Sequence, residues 1–451
     1  MKTAALIGAL VLAAFGQPAR AITAEQAAPF LGDWTVSSSA PGIGAQTFQV
    51  SVTRGADAVK ATVKAPNQPD AAAGDVRLSG RSLLISYNTS YPGMSIPTVL
   101  ILTPDGTAMR ADISIMEGQL EMSGMAAKGG QGVSRPSPPS GTAQAGRGGA
   151  PPQPQVARVL DLMQMMAALP DTAPAKPAKP RRVLVLARAQ GFVHASIPLA
   201  ARTIEALGQK TGAWTTVITY NAADINTDNL KQYDGVFLAS TTGTFLDDPA
   251  DPAATKARRD ALLEFVRGGK GLAAVHAATD SYHGGAPQPN VVDGGTPLWP
   301  DFNKLIGGYF KWHWLYPTQI PVKIDDPDSP LTVPFTYVNQ GSGVRLPRPF
   351  TTVDEVYTFN DASWSRTNAH VLTSIDYAKL PAETKALEPA PKRSDSDYAL
   401  SYIRREGSGR VFVEVLGHDE SIYKMAPMLA HILAGVQYAL GDLQANDAPS
   451  K

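Results

Sequence analysis

The 451-residue sequence contains no cysteine. Without cysteine the protein has no disulfide bonds, no thiolate nucleophile and no cysteine metal ligands, so its chemistry must use histidine, carboxylate, hydroxyl or a bound cofactor. An excess of charge is also missing, because 40 basic residues balance 40 acidic residues. Nucleic-acid-binding proteins usually carry a basic excess that meets the phosphate charge, so this balance argues against a nucleic-acid partner.

Long hydrophobic runs are missing as well. The first 21 residues contain an apolar stretch of roughly ten residues, whereas about 20 are needed to span a bilayer. A lysine precedes this stretch and Ala19-Arg20-Ala21 follows it, a pattern typical of a cleaved secretory signal peptide. We therefore expect an exported protein, secreted or periplasmic, with no transmembrane segment.

The chain is too long for one ordinary domain, since single cores stop growing near about 250 to 300 residues. Residues 22–125 contain short alternating stretches between Gly, Pro, Asn and Asp, which predict a small all-β barrel or sandwich. Residues 126–180 are rich in Pro and Gly and predict a linker, with one short amphipathic helix beginning near Val156. Residues 442–451 are expected to form a tail.

Between residues 181 and 441 the pattern changes to strands that alternate with helices. "RRVLVLARA" and "KGLAAVHA" are typical of buried strands, and "SIPLAARTIEALGQKTG" predicts a helix with Ser196 as its N-cap and Pro198 in its first turn. This alternation predicts an α/β domain with a parallel sheet flanked by helices, as in the flavodoxin-like folds. Beyond residue 310 the sequence becomes richer in strands.

Polar side chains follow several of these strands. His194 follows the first strand, Thr241 and Thr242 the third, His276 the fourth and His418 the last. Ligands of open parallel sheets bind beyond the carboxyl ends of the strands. We therefore predict that these side chains converge on one rim, where imidazole can transfer protons or bind a metal.

Two further groups of chemically active residues lie between the strands. In "HAATDSYHGG", Asp280 follows His276 by four residues and would share its face if a helix begins there. In "GGYFKWHW", Tyr309, Trp312 and His313 mix aromatic and polar groups, a composition that suits a sugar. The alternatives are purely structural roles, namely helix capping for Asp280 and a core or interface position for Trp312.

These segments together resemble the ThuA-like family, named for trehalose utilisation, whose fold is similar to class I glutamine amidotransferases. The resemblance covers about residues 181–441 and is carried by "GFVHAS", "YDGVFLASTTG", "FVRGGKGLAAVHAATDSYH", "FNKLIGGYFKWH", "VDEVYTF" and "GRVFVEVLGHDESIY". The resemblance implies a sharp strand-to-helix elbow, at which His276 stands in place of the amidotransferase cysteine. Residues 22–125 faintly resemble lipocalin-type barrels, through "LGDWTV" and "LEMSGMA".

Amidotransferase activity is excluded, because attack on glutamine requires a thiolate and the chain has none. The later amidotransferase triplet that orients the nucleophile is replaced here by His418, Asp419 and Glu420. Three sets of candidates follow. They are catalytic His276, His418, Asp280, Glu355 and Glu420; substrate-binding His194, Thr241, Thr242, Tyr309 and Trp312; and metal-binding His276, His283 and His313, with a divalent ion such as zinc as the candidate cofactor. The alternative for Glu355 is a structural pairing with Arg404 or Arg410.

Two functions are consistent with the sequence. The resemblance implies an exported carbohydrate-processing enzyme, a hydrolase or lyase acting on a sugar or keto-sugar, with or without a metal. The alternative is a catalytically inactive carbohydrate-binding or scaffold module of the cell envelope. The sequence leaves open whether the chain forms homo-oligomers, and fold analogy alone does not choose between the two functions.

Overall fold

A computed structural model describes residues 22–40, 44–55, 58–66, 68–91, 94–116, 120–128, 156–284 and 297–450. The predicted signal peptide and most of the predicted linker lie outside the described residues. The chain divides into two compact units: Met1–Ser137 with Arg158–Ala167, and Pro138–Ala157 with Ala168–Lys451.

The first unit is built on a nine-stranded antiparallel sheet. Its elements are α1 (Ala24–Ala27), β1 (Gly32–Ala40), β2 (Gly44–Arg54), β3 (Val59–Lys64), β4 (Ala71–Ala72), β5 (Asp75–Ser79), β6 (Ser82–Tyr91), β7 (Met94–Asp105), β8 (Ala108–Ile115), β9 (Leu120–Lys128) and α2 (Val159–Ala168). The strand order is β4-β3-β2-β1-β9-β8-β7-β6-β5. Only Ala73 and Gly74 separate the two edge strands along the chain, so the sheet curls and brings its edges near each other.

Alternation along these strands explains the core of the first unit. Successive side chains of a strand point to opposite faces, so every second residue reaches the interior. Val50 and Val52 of β2 and Leu100 and Leu102 of β7 are buried in this way, in one cluster. The Glu121 carboxylate accepts a hydrogen bond from the backbone N–H of Val159 at 3.1 Å, which fixes the first turn of α2.

The second unit is built on a mixed nine-stranded sheet. Its elements are β10 (Arg182–Leu186), α3 (Ile197–Thr211), β11 (Thr215–Thr219), α4 (Thr227–Leu230), β12 (Gly235–Ala239), α5 (Pro252–Arg267), β13 (Gly271–Val275), α6 (Pro300–Ile306), β14 (Phe310–Ile324), β15 (Thr336–Val338), β16 (Arg345–Pro347), β17 (Phe350–Phe359), β18 (His370–Ile375), α7 (Ala382–Leu387), β19 (Ala399–Glu406), β20 (Gly409–Glu414) and α8 (Ala426–Ala439). Short 3-10 helices include His276–Asp280 and Glu420–Lys424.

The prediction of a parallel sheet is correct for only half of this sheet. In the order β11-β10-β12-β13-β20-β19-β18-β14-β17, the first five strands pair parallel and the remaining pairs are antiparallel. The reason is visible between β19 and β20, which only Gly407 and Ser408 separate. A connection of two residues can join antiparallel strands, whereas parallel strands need a long crossover.

Helix α3 begins and ends close to where the sequence predicts. Pro198 lies in the first turn and Gly212 ends the helix in the left-handed region, with φ of 70°. Ser196 occupies the N-cap position, but its hydroxyl does not cap the helix; it donates instead to the carbonyl oxygen of Gly417 at 2.8 Å. Ser196 therefore ties the start of α3 to the loop that follows β20.

None of the helices in the described part of the chain is both long and apolar enough to cross a membrane.

Candidate active site

The polar residues that follow the parallel strands lie side by side. Strands β10, β12, β13 and β20 are consecutive neighbours in the sheet, so their carboxyl ends share one edge. His194 follows β10, Thr241 and Thr242 follow β12, His276 follows β13 and His418 follows β20. The rings of His194, His276 and His418 are mutual neighbours, with centroid distances of 4.7 to 5.3 Å.

His276 occupies a sharp turn between β13 and the 3-10 helix His276–Asp280. Its φ is 47°, in the left-handed region, which costs a non-glycine residue roughly 1 to 3 kcal/mol and which surrounding structure must enforce. The side chain is fully buried, and its Nδ1 lies 3.1 Å from the carbonyl oxygen of Val415. Because a carbonyl only accepts, Nδ1 carries the proton and Nε2 presents a lone pair.

A two-stranded ribbon brings Glu355 to the same edge. β14 pairs with β17 along most of its length but with β18 only through Val322, Lys323 and Ile324, so the first part of β14 and the end of β17 extend beyond β18. The pairing of β14 with β17 is interrupted between Trp314 and Thr318, opposite Glu355. Such bulges are common beside active sites, where they redirect side chains.

The Glu355 carboxylate is the centre of a histidine cluster, which we call the Glu355 cluster: Glu355 with His194, His276, His313 and His418. One carboxylate oxygen, Oε1, lies 2.6 Å from His313 Nδ1. The other oxygen, Oε2, lies 2.9 Å from His418 Nδ1, 3.3 Å from His276 Nε2 and 3.7 Å from His194 Nε2. Four imidazoles from separate parts of the sequence thus surround one carboxylate.

Burial and charge act in opposite directions on the pKa values of the cluster. Burial alone would raise the pKa of Glu355, but its contacts with the four imidazoles hold it well below its usual value. Burial lowers the pKa of His276, and it lowers the pKa of His194 to about 4. The same desolvation would lower the pKa of His418, but the hydrogen bond and charge of Glu355 raise it. The carboxylate is therefore ionised at neutral pH.

Asp354 holds the loop that carries His418. Its carboxylate accepts hydrogen bonds from the backbone N–H groups of Gly417 at 2.6 Å and of Asp419 at 3.1 Å. Burial, partly offset by these bonds, raises the pKa of Asp354 to about 7. Gly417 has φ of 133°, and a Cβ atom there would lie 2.5 Å from the hydroxyl of Tyr423, so a larger residue would displace this loop.

One side of the cluster is open. The side chains of His313 and His418 are 28% and 24% exposed, whereas His194 and His276 are buried. Two exposed aromatic side chains flank this opening: Phe192 meets the His194 ring edge-on at 4.8 Å, and Tyr316, within the bulge, stacks on the His418 ring at 5.3 Å. A ligand can therefore reach His313 and His418 directly.

The second unit matches a known protein family over most of its length. The family described as "ThuA: Trehalose utilisation" matches residues 182–439, which is more than half of the chain. The chain belongs to the ThuA family. No curated protein sequence matches it. The matched ThuA domain does not include the first unit, so the lipocalin-like resemblance of residues 22–125 stays a prediction.

Solved structures with some similarity to the chain include one described as ThuA-like and others with different descriptions. A ThuA-like protein from Bacteroides uniformis ATCC 8492 is 19% identical, with 58% of this chain and 94% of that chain covered and a TM-score of 0.41. A cytoplasmic protein from Salmonella typhimurium LT2 is 9% identical, with 58% and 100% covered and a TM-score of 0.36. A β-galactosidase from Bacillus circulans sp. alkalophilus is 11% identical, with 63% and 34% covered and a TM-score of 0.32.

Asp280 and His283 form a separate pair in the ThuA domain. His283 Nδ1 lies 2.8 Å from Asp280 Oδ1, and the Thr242 hydroxyl donates to the same carboxylate. A 3-10 helix has about three residues per turn, so residues four apart do not share a face as they would in an α-helix. Asp280 accordingly points to Thr242 and His283, whereas His276 points to Glu355.

The other residues predicted for the site occupy different environments. The Thr241 hydroxyl lies 3.3 Å from that of Ser281, and both are buried. Tyr309 is buried, and Trp312 packs against Trp314 with a centroid distance of 5.2 Å. Glu420 opens the 3-10 helix after His418 and contributes no donor to the Glu355 cluster. The alternative pairing of Glu355 with an arginine is wrong. Arg404 contacts Glu406 and the carbonyl oxygen of Leu305, and the Arg410 guanidinium lies beside Gly441.

The set of side chains that can hold a metal differs from the predicted one. Ligand atoms of His194, His276, Glu355 and His418 lie within 4.8 Å of one another. Of the three predicted ligands, only His276 belongs to this set, since His283 pairs with Asp280 and His313 contacts the opposite oxygen of Glu355. His194, His276 and His418 each follow the end of a parallel strand, and they lie together because the ends of neighbouring parallel strands meet.

Tyr357 is a member of the site that sequence reasoning missed. Its hydroxyl lies 3.3 Å from His194 Nε2, and its ring stacks on His313 at 5.3 Å. It follows Glu355 by two residues on β17, and the period of a strand places both on one face. That spacing was a usable signal. The pairing of Tyr357 with His313 across β14 and β17 was not visible in the sequence.

Proposed function

We propose that the protein is a carbohydrate-processing enzyme, a hydrolase or lyase acting on a sugar or keto-sugar, and that its reaction takes place at the Glu355 cluster. The family description, trehalose utilisation, supports the substrate class. One observation carries the proposal: each oxygen of the buried Glu355 carboxylate contacts a partly exposed imidazole, His313 at 2.6 Å and His418 at 2.9 Å. A carboxylate that orients an imidazole in this way is a recurrent catalytic arrangement.

His313 is the proton-transfer group in this proposal. Glu355 fixes the orientation of its ring through Nδ1, and the side chain reaches the opening. In hydrolysis, His313 takes a proton from water as the water attacks and the glycosidic C–O bond breaks. In elimination, His313 takes the proton from a carbon beside a carbonyl group, a C=C double bond forms, and the C–O bond on the next carbon breaks. In either case His418 gives the leaving oxygen its proton from across the opening.

His276 has a different role from the one expected from the sequence. Its side chain is fully buried behind Glu355, so it does not meet the substrate. We assign it the role of a positioning residue, whose ring packs against the inner side of the carboxylate. The active groups are then the two exposed imidazoles, His313 and His418.

Replacement of His313 tests the proposal. General acid–base catalysis contributes about 10²- to 10⁴-fold to rate, so His313→Gln should lower kcat by that factor on any glycoside or keto-glycoside that the wild type turns over. His370→Gln is the matched control, because His370 is also a histidine of the second unit but contacts Asp326 and Ala448. Binding of sugars without turnover in the wild type, across a panel of both substrate types, would favour a binding module.

Export is a second part of the proposal, carried by the signal-like pattern of residues 1–21. Cell fractionation of the full chain and of a chain lacking these residues tests it. Only the full chain should leave the cytoplasm, and its mature N-terminus should be Ile22.

A further inference from the structure

We propose that the inner side of the Glu355 cluster is a binding site for one divalent transition-metal ion, held by His194, His276, Glu355 and His418. The ion would be zinc or a metal of similar preference, since imidazole nitrogen with one carboxylate oxygen suits such ions. The inference concerns the same cleft as the proposed function but does not require that the substrate be a sugar.

The first argument is the crowding of donors on a single oxygen. Three imidazole nitrogens, from His418, His276 and His194, lie between 2.9 and 3.7 Å from Oε2 of Glu355. One proton bridges a single nitrogen–oxygen pair, and the Tyr357 hydroxyl contacts His194 Nε2, but His276 Nε2 is left facing the oxygen without a partner among the described residues. A cation at the centre satisfies all four donors together. Their ligand atoms lie within 4.8 Å of one another, and side-chain movements on the order of 1 Å would bring them to zinc–ligand bonds of about 2.0 to 2.2 Å.

The second argument is the tautomer of His276. Its Nδ1–H donates to the carbonyl oxygen of Val415, so the lone pair of Nε2 points towards Glu355 Oε2. Nε2 is buried and has no hydrogen-bond partner among the described residues. The lone pair of His431 faces Glu414 in a similar way, but at Glu355 two further imidazole nitrogens, from His418 and His194, face the same oxygen, and a cation there would bind all of them. Histidine ligands of metals typically donate their other ring N–H to a carbonyl or carboxylate, as His276 does.

The third argument is that the surroundings hold the ligands in place and leave a path to the ion. The left-handed backbone of His276 directs its ring inward, and Asp354 fixes the loop of His418 through Gly417 and Asp419. His418 lies at the open side of the cluster, where a water molecule or a substrate oxygen could reach the ion as a fifth ligand. With an ion bound, the ion rather than the His418 ring would face the leaving oxygen, and His313 would remain available for proton transfer.

Metal titration of the full chain tests this site. After removal of metals by a chelator, isothermal titration with zinc chloride should show one tight equivalent, and cobalt(II) should give visible absorption typical of a four- or five-coordinate site. Glu355→Gln and His276→Gln should each weaken zinc binding by more than about 100-fold, beyond the effect of an outer contact. His283→Gln is the matched control, because it removes a histidine from the nearby Asp280 pair and should keep the full equivalent.

The proposal is overturned if the wild type binds no zinc equivalent, or if both ligand variants bind zinc as tightly as the wild type. Should either variant fail to fold, X-ray absorption of the zinc-loaded wild type decides, since fewer than two imidazole ligands would also overturn the site. Turnover separates this inference from the proposed function. His313→Gln should lose turnover and weaken zinc binding by no more than about 100-fold, the effect of an outer contact. If the protein binds zinc but turns over no sugar, the metal site stands and the proposed function is wrong. If it turns over sugar without a metal, the proposed function stands and the metal site is wrong.

Discussion

Two buried glutamates in the second unit meet histidine in different ways. Glu355, on β17, contacts four imidazoles, two of which reach the surface. Glu414, on β20, lies 3.4 Å from His431 alone among the imidazoles of the described residues, and its other oxygen accepts the backbone N–H of Leu416 at 3.0 Å. Both Glu414 and His431 are almost completely buried.

The difference shows that a histidine–carboxylate contact is not sufficient for a functional site. His431 Nδ1 also contacts the carbonyl oxygen of Leu331 at 2.7 Å, so this pair links α8 to the segment before β15 and stabilises the core. The Glu355 cluster instead gathers several donors on one carboxylate and opens on one side. Accessibility and the number of donors therefore separate the chemical site from the structural pair.

The strongest test of this comparison replaces one ionisable side chain of each histidine–glutamate contact by glutamine. Glu355→Gln removes the charge that orients His313, and we expect kcat/KM to fall by about 10³-fold or more, by analogy with other oriented imidazoles. His431→Gln should leave turnover close to the wild-type value but lower the free energy of unfolding by about 1 to 3 kcal/mol, because the buried carbonyl oxygen of Leu331 loses the imidazole N–H that it accepts. Steady-state kinetics and urea unfolding provide both readouts. If the His431→Gln protein folds but its turnover is as low as that of Glu355→Gln, the distinction between a chemical site and a structural pair is wrong.

The Asp280–His283 pair is intermediate, because it is partly accessible but contains one imidazole. Burial would raise the pKa of Asp280, but His283 holds it below its usual value; burial would lower the pKa of His283, but Asp280 raises it. The raised histidine pKa stabilises the fold below about pH 6.5 and this contribution disappears at higher pH. The lowered aspartate pKa stabilises it above about pH 3.9.

The Asp280–His283 pair should therefore contribute most to the free energy of unfolding between these two pH values. His283→Gln should lower the free energy of unfolding by about 2 kcal/mol at pH 5.5, the value typical of a hydrogen bond to a charged group, and by less at pH 8.5. Urea unfolding at both pH values, followed by tryptophan fluorescence, measures the difference. An equal loss at both values would show that the pair is not ionised as described.

Part of this site could be predicted from the sequence because β/α alternation has a simple geometric consequence. Apolar strands followed by polar residues identified His194, His276 and His418, since parallel neighbours end at one edge. The sequence could not show that Glu355 is their common partner. That contact depends on the β14–β17 ribbon, whose strand pairing and bulge involve residues about 40 positions apart.

The fold shows the same division between local and non-local information. Local signals placed Pro198 and Gly212 correctly at the two ends of α3. The sequence after residue 310 indicated the strands of the antiparallel half of the second sheet, but it did not indicate that they pair antiparallel. The direction of a strand depends on which segments pair with each other. Among the local features, only the short turn at Gly407 and Ser408 indicated an antiparallel pair.

The smallest expected effect concerns the opening that distinguishes the Glu355 cluster from the sealed Glu414 pair. Tyr316 stacks on His418 at this opening and offers an exposed ring to a sugar. Aromatic stacking contributes about 0.5 to 1.5 kcal/mol, so Tyr316→Ala should raise KM by up to about tenfold and leave kcat nearly unchanged. Tyr337→Ala is the matched control, because Tyr337 on β15 is equally exposed, at 42% against 43%, and does not contact the cluster. If both variants change KM by the same factor, or if Tyr316→Ala changes kcat alone, the Tyr316 ring does not bind substrate. The opening would then only give substrate access to His313 and His418.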